Sequence, residues 1–110
     1  MTDIFKALSE ETRLRMLSLL IENELCVCEI EDCLKLTQSN ASRHLTTLKK
    51  SGILESYKKA QWAYYRISDI FKEEHLQLWA YLQEHLRGIS TFKVDSNELL
   101  NYREQNRNCN

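Results

Sequence analysis

The most informative helix is predicted by residues 37–52, which read TQSNASRHLTTLKKSG. Ala41, Leu45 and Leu48 recur at helical spacing on one face, and Gly52 stands where a glycine commonly ends a helix. The opposite face carries hydroxyl, amide and guanidinium groups, which are suited to hydrogen-bonding base edges in a major groove. The stretch therefore predicts an amphipathic helix whose apolar side packs inward and whose polar side reads DNA.

A shorter helix is predicted immediately before it, because Val27, Ile30 and Leu34 define an inward face. A short helix, a tight turn and a second helix form a helix-turn-helix, in which the second helix enters the major groove. Residues 53–58 and 62–67 follow; they are rich in β-branched and aromatic side chains and predict a hairpin with a basic tip. The predicted fold is therefore mainly α with a β-hairpin wing, a winged helix-turn-helix.

Charge is concentrated in the same part of the chain. Residues 36–67 hold six basic residues and a single acid, Glu55, whereas the whole chain has a formal net charge of −1. A basic segment in a near-neutral chain favours one polyanion-binding face. The residues predicted to contact double-stranded operator DNA are Gln38, Ser39, Asn40, Ser42, Arg43, Thr46, Lys49, Lys58, Lys59 and Gln61.

The length of 110 residues, with 43% apolar and 28% charged residues, fits a single domain. We expect residues 1–92 to form the winged helix-turn-helix domain for DNA binding and dimerisation. Residues 93–110 are more polar and are expected to form a C-terminal tail, at most a weak helix. Near the N-terminus, a helix is predicted over about residues 10–22, with Ser9 as its N-cap.

A long amphipathic helix is predicted from Ser68 to about Gly88. Its apolar stripe is too extensive for a tail, and a protein that reads two half-sites needs two subunits. We therefore expect a homodimer whose interface contains Ile4, Phe5, Leu78, Trp79 and Leu82.

Several classes of protein are disfavoured by the sequence. The longest apolar run, residues 16–21, is interrupted by Ser18 and is far shorter than the roughly 20 residues of a membrane span. The first residues do not resemble a signal peptide, so we expect a cytoplasmic protein without membrane contact. A glycine-rich phosphate loop and a nucleophile with a matching base are both missing, which argues against an enzyme. The alternative from another class is an interaction or metal-buffering module that does not bind DNA.

Two cysteines, Cys26 and Cys28, stand at the start of the first helix of the helix-turn-helix. The thiolate is the metal-binding form of cysteine, and a helix N-terminus lowers the pKa of a thiol, so both cysteines are expected to ionise. Paired sulfur ligands favour soft, thiophilic ions. The pair therefore predicts a metal site, with incidental buried cysteines as the alternative.

Taken together, these segments resemble the ArsR/SmtB family of metal-responsive winged-helix repressors over about residues 4–90. The segments that carry the resemblance are residues 5–17 (FKALSEETRLRML), 24–29 (ELCVCE), 37–45 (TQSNASRHL) and 62–67 (WAYYRI). The resemblance implies a homodimer that needs no cofactor to bind its operator and leaves it when metal binds. The cysteine box is similar to that of arsenite and antimonite repressors, which makes As(III) or Sb(III) the expected inducer.

The third ligand is left open by the sequence, because the arsenite type of this box has a further cysteine where this chain has Glu31. Cys33 and Cys109 are the candidates within the chain, and a small thiol from solution is another. Cys33 lies five residues after Cys28 and is expected to be a core or surface thiol instead. The cadmium and lead type of the family takes thiols from an N-terminal arm, and no cysteine precedes Cys26.

Other inducers remain as alternatives of the same fold. They are cadmium, lead or zinc, or an oxidant sensed by the thiols. A second metal site at His75 and His85 with Glu73 or Glu84 departs from the family spacing, so exposed histidines are the preferred interpretation. His44 matches a family position but shares the apolar face of its helix, and we expect it to pack.

Overall fold

A computed structural model gives the structure of residues 2–86 and 92–105. Along this part of the chain, helices and strands follow in the order α1 (Thr2–Leu8), α2 (Glu11–Leu20), β1 (Leu25–Cys26), α3 (Val27–Leu34), α4 (Gln38–Lys50), β2 (Leu54–Lys59), β3 (Trp62–Ile67), α5 (Asp69–Glu74), α6 (Leu76–Leu86) and α7 (Phe92–Gln105). None of the helices in these two ranges is both long enough and apolar enough to cross a membrane.

The predicted helix-turn-helix is formed by α3 and α4, which pack against each other. The Thr37 hydroxyl caps α4 by accepting a hydrogen bond from the backbone N–H of Asn40 at 3.2 Å. Ala41, Leu45 and Leu48 are fully buried, as their spacing predicts. Gly52 follows the helix with a φ of +91°, a left-handed conformation that a side chain would disfavour. The winged helix-turn-helix fold is therefore confirmed.

The sheet contains a strand that the sequence pattern did not predict. Its order is β1-β3-β2 with antiparallel pairing, and the hairpin of β2 and β3 turns at Ala60 and Gln61. β1 pairs Leu25 with Tyr65 and Cys26 with Tyr64. Because β1 has only two residues, it shows no alternation that could reveal it. It fixes the first cysteine to the edge of the sheet.

The predicted long helix is wrong as a single element. It is divided into α5 and α6 at His75, whose φ of −126° and ψ of 51° lie outside the helical region. The apolar spacing continues across this break, since Phe71 of α5 and Leu82 of α6 both belong to the core, and the spacing alone therefore conceals it. Gly88, the predicted end, lies outside the described residues.

The N-cap of α2 also differs from the prediction. The carboxylate of Glu10 accepts hydrogen bonds from the backbone N–H groups of Thr12 and Arg13, both at 3.2 Å, whereas the Ser9 hydroxyl donates to the carbonyl oxygen of Lys6 at 2.7 Å. Glu10 therefore caps α2 and Ser9 closes α1, which moves the start of α2 to Glu11.

Helix α7 occupies most of the segment that was expected to be a tail. It packs against α2 and α3, and its Leu99 lies in the hydrophobic core. Asp95 of α7 is only 1% exposed and accepts two hydrogen bonds from the Arg15 guanidinium, at 2.8 and 3.1 Å. These contacts attach α7 to the winged helix. The division of the chain at residue 93 stays a prediction.

Candidate DNA-binding face and thiol site

The residues predicted to contact DNA lie on the outer side of α4 and on the wing. We call them the reading face, and every one of them is exposed: Gln38, Ser39, Asn40, Ser42, Arg43, Thr46, Lys49, Lys58, Lys59 and Gln61. The Lys49 ammonium donates to the Ser56 hydroxyl of β2 at 2.7 Å, which ties the end of α4 to the wing. Because helix and wing are held together, their side chains can present one continuous polar surface.

The inner side of α4 is held by α1 and α2. His44 is buried, as predicted, and its Nδ1 atom accepts a hydrogen bond from the Arg13 guanidinium at 3.1 Å. Arg13 also donates from Nε to the carbonyl oxygen of Ala7 at 2.7 Å. Burial lowers the pKa of His44, although the Glu10 carboxylate opposes this. A neutral His44 therefore joins the recognition helix to the N-terminal helices.

Cys26 forms the N-cap of α3 and is fully buried. Its side chain faces the backbone N–H of Glu29 in a capping box, and the Glu29 carboxylate accepts a hydrogen bond from the Cys26 N–H at 3.1 Å. Burial raises the pKa of Cys26 although the nearby N–H groups lower it, so the expected ionisation of this thiol is wrong for the structure as it stands. Burial dominates because β1 draws the residue into the sheet.

Glu29 also joins this cap to the far end of the chain. Its second carboxylate oxygen accepts a hydrogen bond from Nε of Arg103 in α7 at 2.8 Å, and Glu29 is itself buried. The same guanidinium donates to the carbonyl oxygen of Glu24 at 3.5 Å. Arg103 was not predicted to belong to this site, because no local pattern links it to a residue 74 positions earlier.

Cys28 is half-buried and borders a cavity of about 420 Å³. Acidic, basic, aliphatic and aromatic side chains complete its lining, namely Glu31, Asp32, Lys35, Leu36 and Tyr102. The cysteine pair is therefore asymmetric: Cys26 is fully buried in β1, whereas Cys28 borders a cavity and is disulfide-bonded in this structure. We call Cys26, Cys28 and Glu29 the thiol site.

Cys33 is a core thiol, which confirms the preferred interpretation of that residue. Its Sγ atom donates to the backbone carbonyl oxygen of Asp95 at 3.2 Å, and burial raises its pKa to about 12. It is therefore poorly suited to be a third metal ligand. Cys109, the other candidate within the chain, lies outside the described residues.

The structure does not assemble the second metal site considered at His75 and His85. His75 packs on the Phe71 ring at 5.5 Å, and the His85 ring stacks on Tyr81 at 4.0 Å. Across residues 2–86 and 92–105, no three His, Cys, Asp or Glu side chains are grouped to hold a metal ion.

Tyr64 of β3 lies beside the thiol site and was not predicted to belong to it. It stands opposite Cys26 in the strand register, and its ring stacks on Tyr57 with centroids 5.6 Å apart. The Tyr57 hydroxyl donates to the Glu24 carboxylate. The Tyr64 hydroxyl, in contrast, has no hydrogen-bond partner in the described structure, and burial raises the pKa of Tyr64. Only the three-dimensional pairing of β1 with β3 reveals this residue.

The residues predicted for the dimer interface are divided between core and surface. Ile4 and Leu82 are each only 6% exposed within the single chain, so they belong mainly to its own core. Phe5 is 54% exposed, and Leu78 and Trp79 are partly buried against the core. Phe5 is therefore open to contact from outside the single chain, whereas Ile4 and Leu82 lie within its core.

Comparison with known protein sequences identifies the family of this chain. The family model described as "Bacterial regulatory protein, arsR family" matches residues 10–56. The arsenic resistance transcriptional regulator ArsR2 of Pseudomonas putida is 45% identical over 97 residues, which cover 86% of this chain and 80% of that protein. The chain belongs to the ArsR family of bacterial regulatory proteins.

Two further comparisons place this ArsR-family protein among its relatives. ArsR1 of Pseudomonas putida, also an arsenic resistance transcriptional regulator, is 40% identical over 96 residues, 86% of this chain and 66% of that protein. The solution structure of the homodimeric winged helix-turn-helix domain Mb0332 from Mycobacterium bovis has a TM-score of 0.64 and 28% identity, covering 81% of this chain and 83% of that one. Fold and family thus support a transcriptional regulator rather than an enzyme.

Proposed function

We propose that this ArsR-family regulator is a homodimeric repressor that leaves its operator DNA when Cys26 and Cys28 bind arsenite or antimonite. The observation that carries the proposal is the position of Cys26 as the N-cap of α3, the helix that packs against the recognition helix α4. The named relatives ArsR1 and ArsR2 regulate arsenic resistance, which supports the choice of inducer.

The reading face supplies the DNA contacts in this proposal. Arg43 and the amide and hydroxyl side chains of α4 are exposed and of the types that read base edges. Lys58 and Lys59 lie at the end of β2, next to the wing turn, where they are placed for phosphate contacts. The predicted contacts thus divide into base-reading residues on the helix and phosphate-binding residues on the wing.

The homodimer is proposed to form through α1 and α6. Phe5 of α1 and Leu76 and Tyr81 of α6 are large apolar side chains that the single chain leaves exposed. The homodimeric state of Mb0332 supports this assembly. Two recognition helices related by a twofold axis match the symmetry of an operator with two half-sites.

The thiol site fits a thiophilic inducer in its donor chemistry. The sulfur atoms of Cys26 and Cys28 stand two positions apart at the beginning of α3, and Cys28 borders a cavity through which a ligand can enter. A bound metal(loid) would supply strong bonds to sulfur. Those bonds require thiolate sulfur, so the disulfide at Cys28 has to be reduced first, and binding then releases the protons of the two thiols.

The same geometry explains how inducer binding at the thiol site changes the packing of α4. The Cys26 side chain faces the Glu29 N–H in the resting structure, and bonding of its sulfur to an inducer competes with this cap. A disturbed first turn of α3 shifts the surface on which α4 packs. Because such coupling is reciprocal, DNA weakens inducer binding by the same factor, typically about 1–3 kcal/mol.

The test is a titration of a protein–DNA complex under reducing conditions, with a duplex selected from a randomised library. Arsenite and antimonite are expected to release the wild-type protein, and sedimentation of the complex is expected to show two chains per duplex. Cys26→Ser and Cys28→Ser should fold and bind the duplex but ignore arsenite. Cys33→Ser is the matched control and should behave almost like wild type, because Cys33 bonds to Asp95 in the core.

Each contrary result points to a specific alternative. Release of Cys26→Ser at wild-type arsenite concentrations would place the sensor elsewhere. Release by Cd²⁺, Pb²⁺ or Zn²⁺ but not by arsenite would favour the other metal-sensing function, and release by oxidants alone would favour redox sensing. Selection of no duplex at all would favour the module that does not bind DNA.

A further inference from the structure

The cap of α3 that contains the buried Cys26 is bonded to α7. Cys26 is fully buried, and its backbone N–H donates a hydrogen bond to the Glu29 carboxylate at 3.1 Å. The other oxygen of that carboxylate accepts a hydrogen bond from Nε of Arg103 at 2.8 Å. The Glu29 side chain therefore joins α7 to the residue that begins α3.

The Arg103 guanidinium holds the chain on both sides of Cys26. Glu29 is 7% exposed, so its charge has lost most of its water and depends on a paired cation. The same guanidinium donates to the carbonyl oxygen of Glu24 at 3.5 Å, directly before β1. Arg103 thus contacts one residue that precedes Cys26 in the chain and one that follows it.

A reagent reaches a fully buried thiol only after the structure opens locally around it. The two residues of β1 add little resistance to such an opening, and Cys26 itself forms the cap of α3. Each bond that an opening has to break lowers the population of the open form. The contacts of Arg103 with Glu29 and Glu24 are therefore placed to control how often Cys26 is accessible.

We propose that the bond between Glu29 and Arg103 is a latch: Arg103 is a positioning residue that keeps Cys26 closed in the cap of α3, and a thiol-reactive ligand bonds to Cys26 only when the latch is open. The latch does not depend on Cys28, which is disulfide-bonded in this structure. Its consequence for regulation rests on the proposed function, because it takes Cys26 as an inducer ligand. The latch then sets the inducer concentration at which DNA is released.

The test is alkylation of the reduced full chain without metal. Iodoacetamide forms an S–C bond with a thiolate and releases iodide, and mass spectrometry of proteolytic peptides gives the rate at each cysteine. Arg103→Gln is expected to raise the rate at Cys26 by roughly 5- to 20-fold, the range for one charge-assisted hydrogen bond with a partly exposed donor. Loss of a nearby positive charge disfavours the thiolate, so a faster reaction reports opening and not electrostatics.

Cys33 provides a control within the same molecule. It is also a buried thiol, and its Sγ atom donates to the carbonyl oxygen of Asp95 in the first turn of α7. Opening of the latch alone should leave the rate at Cys33 within about twofold of wild type, because the contacts of Asp95 remain. Equal acceleration at Cys26 and Cys33 would show that α7 is released as a whole and would overturn the latch.

Two variants of α7 complete the experiment. Glu98→Gln is the matched control, because it introduces the same side chain into the same helix and removes only an exposed pair with Lys35; Cys26 should react at the wild-type rate. Arg103→Lys keeps a cation that can donate to Glu29 and should bring the rate to within about threefold of wild type. An unchanged rate at Cys26 in Arg103→Gln, or an equal acceleration in Glu98→Gln, would overturn the latch.

The consequence for regulation is measured on the protein–DNA complex. Arg103→Gln is expected to leave the selected duplex at a roughly 5- to 20-fold lower arsenite concentration than wild type, because the cap opens more readily. An unchanged arsenite concentration beside faster alkylation would overturn the regulatory role of Arg103. A wild-type complex that arsenite does not dissociate would overturn the proposed function and leave the latch, which alkylation measures without metal.

Discussion

The reading face and the thiol site are built in opposite ways. The reading face comes from one continuous segment, residues 38–61, and all of its side chains are exposed. The thiol site and its supports come from β1, α3, β3 and α7, and Cys26, Glu29 and Tyr64 are buried. The surface that meets DNA is therefore specified by local sequence, whereas the surroundings of the thiols exist only when distant elements are packed together.

This difference determines how each region responds to substitution. An exposed side chain on a helix is removed at little cost to stability, so a reading-face variant should change binding alone. Removing one partner of a buried ion pair is costly to stability, because the remaining charge stays buried without a partner. Variants of the thiol site and of the residues that support it should therefore change stability and regulation together.

The largest expected effect is that of Arg15→Ala. This substitution tests whether buried contacts hold α7, which carries Arg103, against the thiol site. It leaves the carboxylate of Asp95, 1% exposed, without the two hydrogen bonds that Arg15 donates. Breaking a buried pair costs about 3 kcal/mol, and release of α7 relieves most of that cost. Hydrogen exchange should show loss of protection in α7 while α4 keeps its protection.

Lys35→Ala provides the control for that experiment. Lys35 pairs with Glu98 of α7 at 3.4 Å, but Lys35 is largely and Glu98 partly exposed, so this pair is worth less than about 1 kcal/mol. The protection of α7 should stay close to that of wild type. Equal protection in the Arg15 and Lys35 variants would show that α7 is held by its apolar contacts alone.

An intermediate effect is expected within the reading face itself, where Arg43 and Lys59 have different tasks. Arg43→Ala should weaken binding to the selected duplex by about 1–3 kcal/mol and relax the base preference at one position. Lys59→Ala should weaken binding to all duplexes alike and reduce the dependence on salt. Fluorescence anisotropy at several salt concentrations measures both, and unchanged affinity in both variants would refute the assignment of this surface.

The smallest effect concerns His44, the buried support on the inner side of the reading face. Burial lowers its pKa in the folded protein below the ordinary value of 6.5, so the unfolded chain binds more protons just below that pH. The free energy of unfolding should therefore fall as the pH drops below about 6.5, by no more than about 1.4 kcal/mol per pH unit. Urea unfolding at pH 7.5 and 5.5 measures the fall, and His44→Gln should reduce it. If His44→Gln showed the same decrease in the free energy of unfolding as wild type, other titratable groups would be its cause.

The sequence predicted the reading face well because its signals are local. Spacing identifies the buried side of α4, and Thr37 and Gly52 mark its ends. The helix break at His75 and the strand β1 escaped prediction for the opposite reason. Apolar spacing continues through the helix break, and the two residues of β1 are too few to show a pattern.

The thiol site shows the other limit of sequence reasoning. The two cysteines and their place at the start of a helix were predicted, but the ionisation of Cys26 was not predicted correctly. The effect of a helix N-terminus is visible in the sequence, whereas the burial that outweighs it depends on β1. Tyr64 and Arg103 belong to the site through strand register and helix packing, and neither leaves a local signal.

The bond between Glu29 and Arg103 also has a consequence for the order of events during protein synthesis. The two residues are separated by 74 positions, and at about 5–20 residues per second the ribosome adds the second about 4–15 s after the first. The helix-turn-helix and the wing are complete on the nascent chain before Arg103 exists. For those seconds Glu29 has only the Cys26 N–H as its partner, and the cap of α3 is formed without the guanidinium that later closes it.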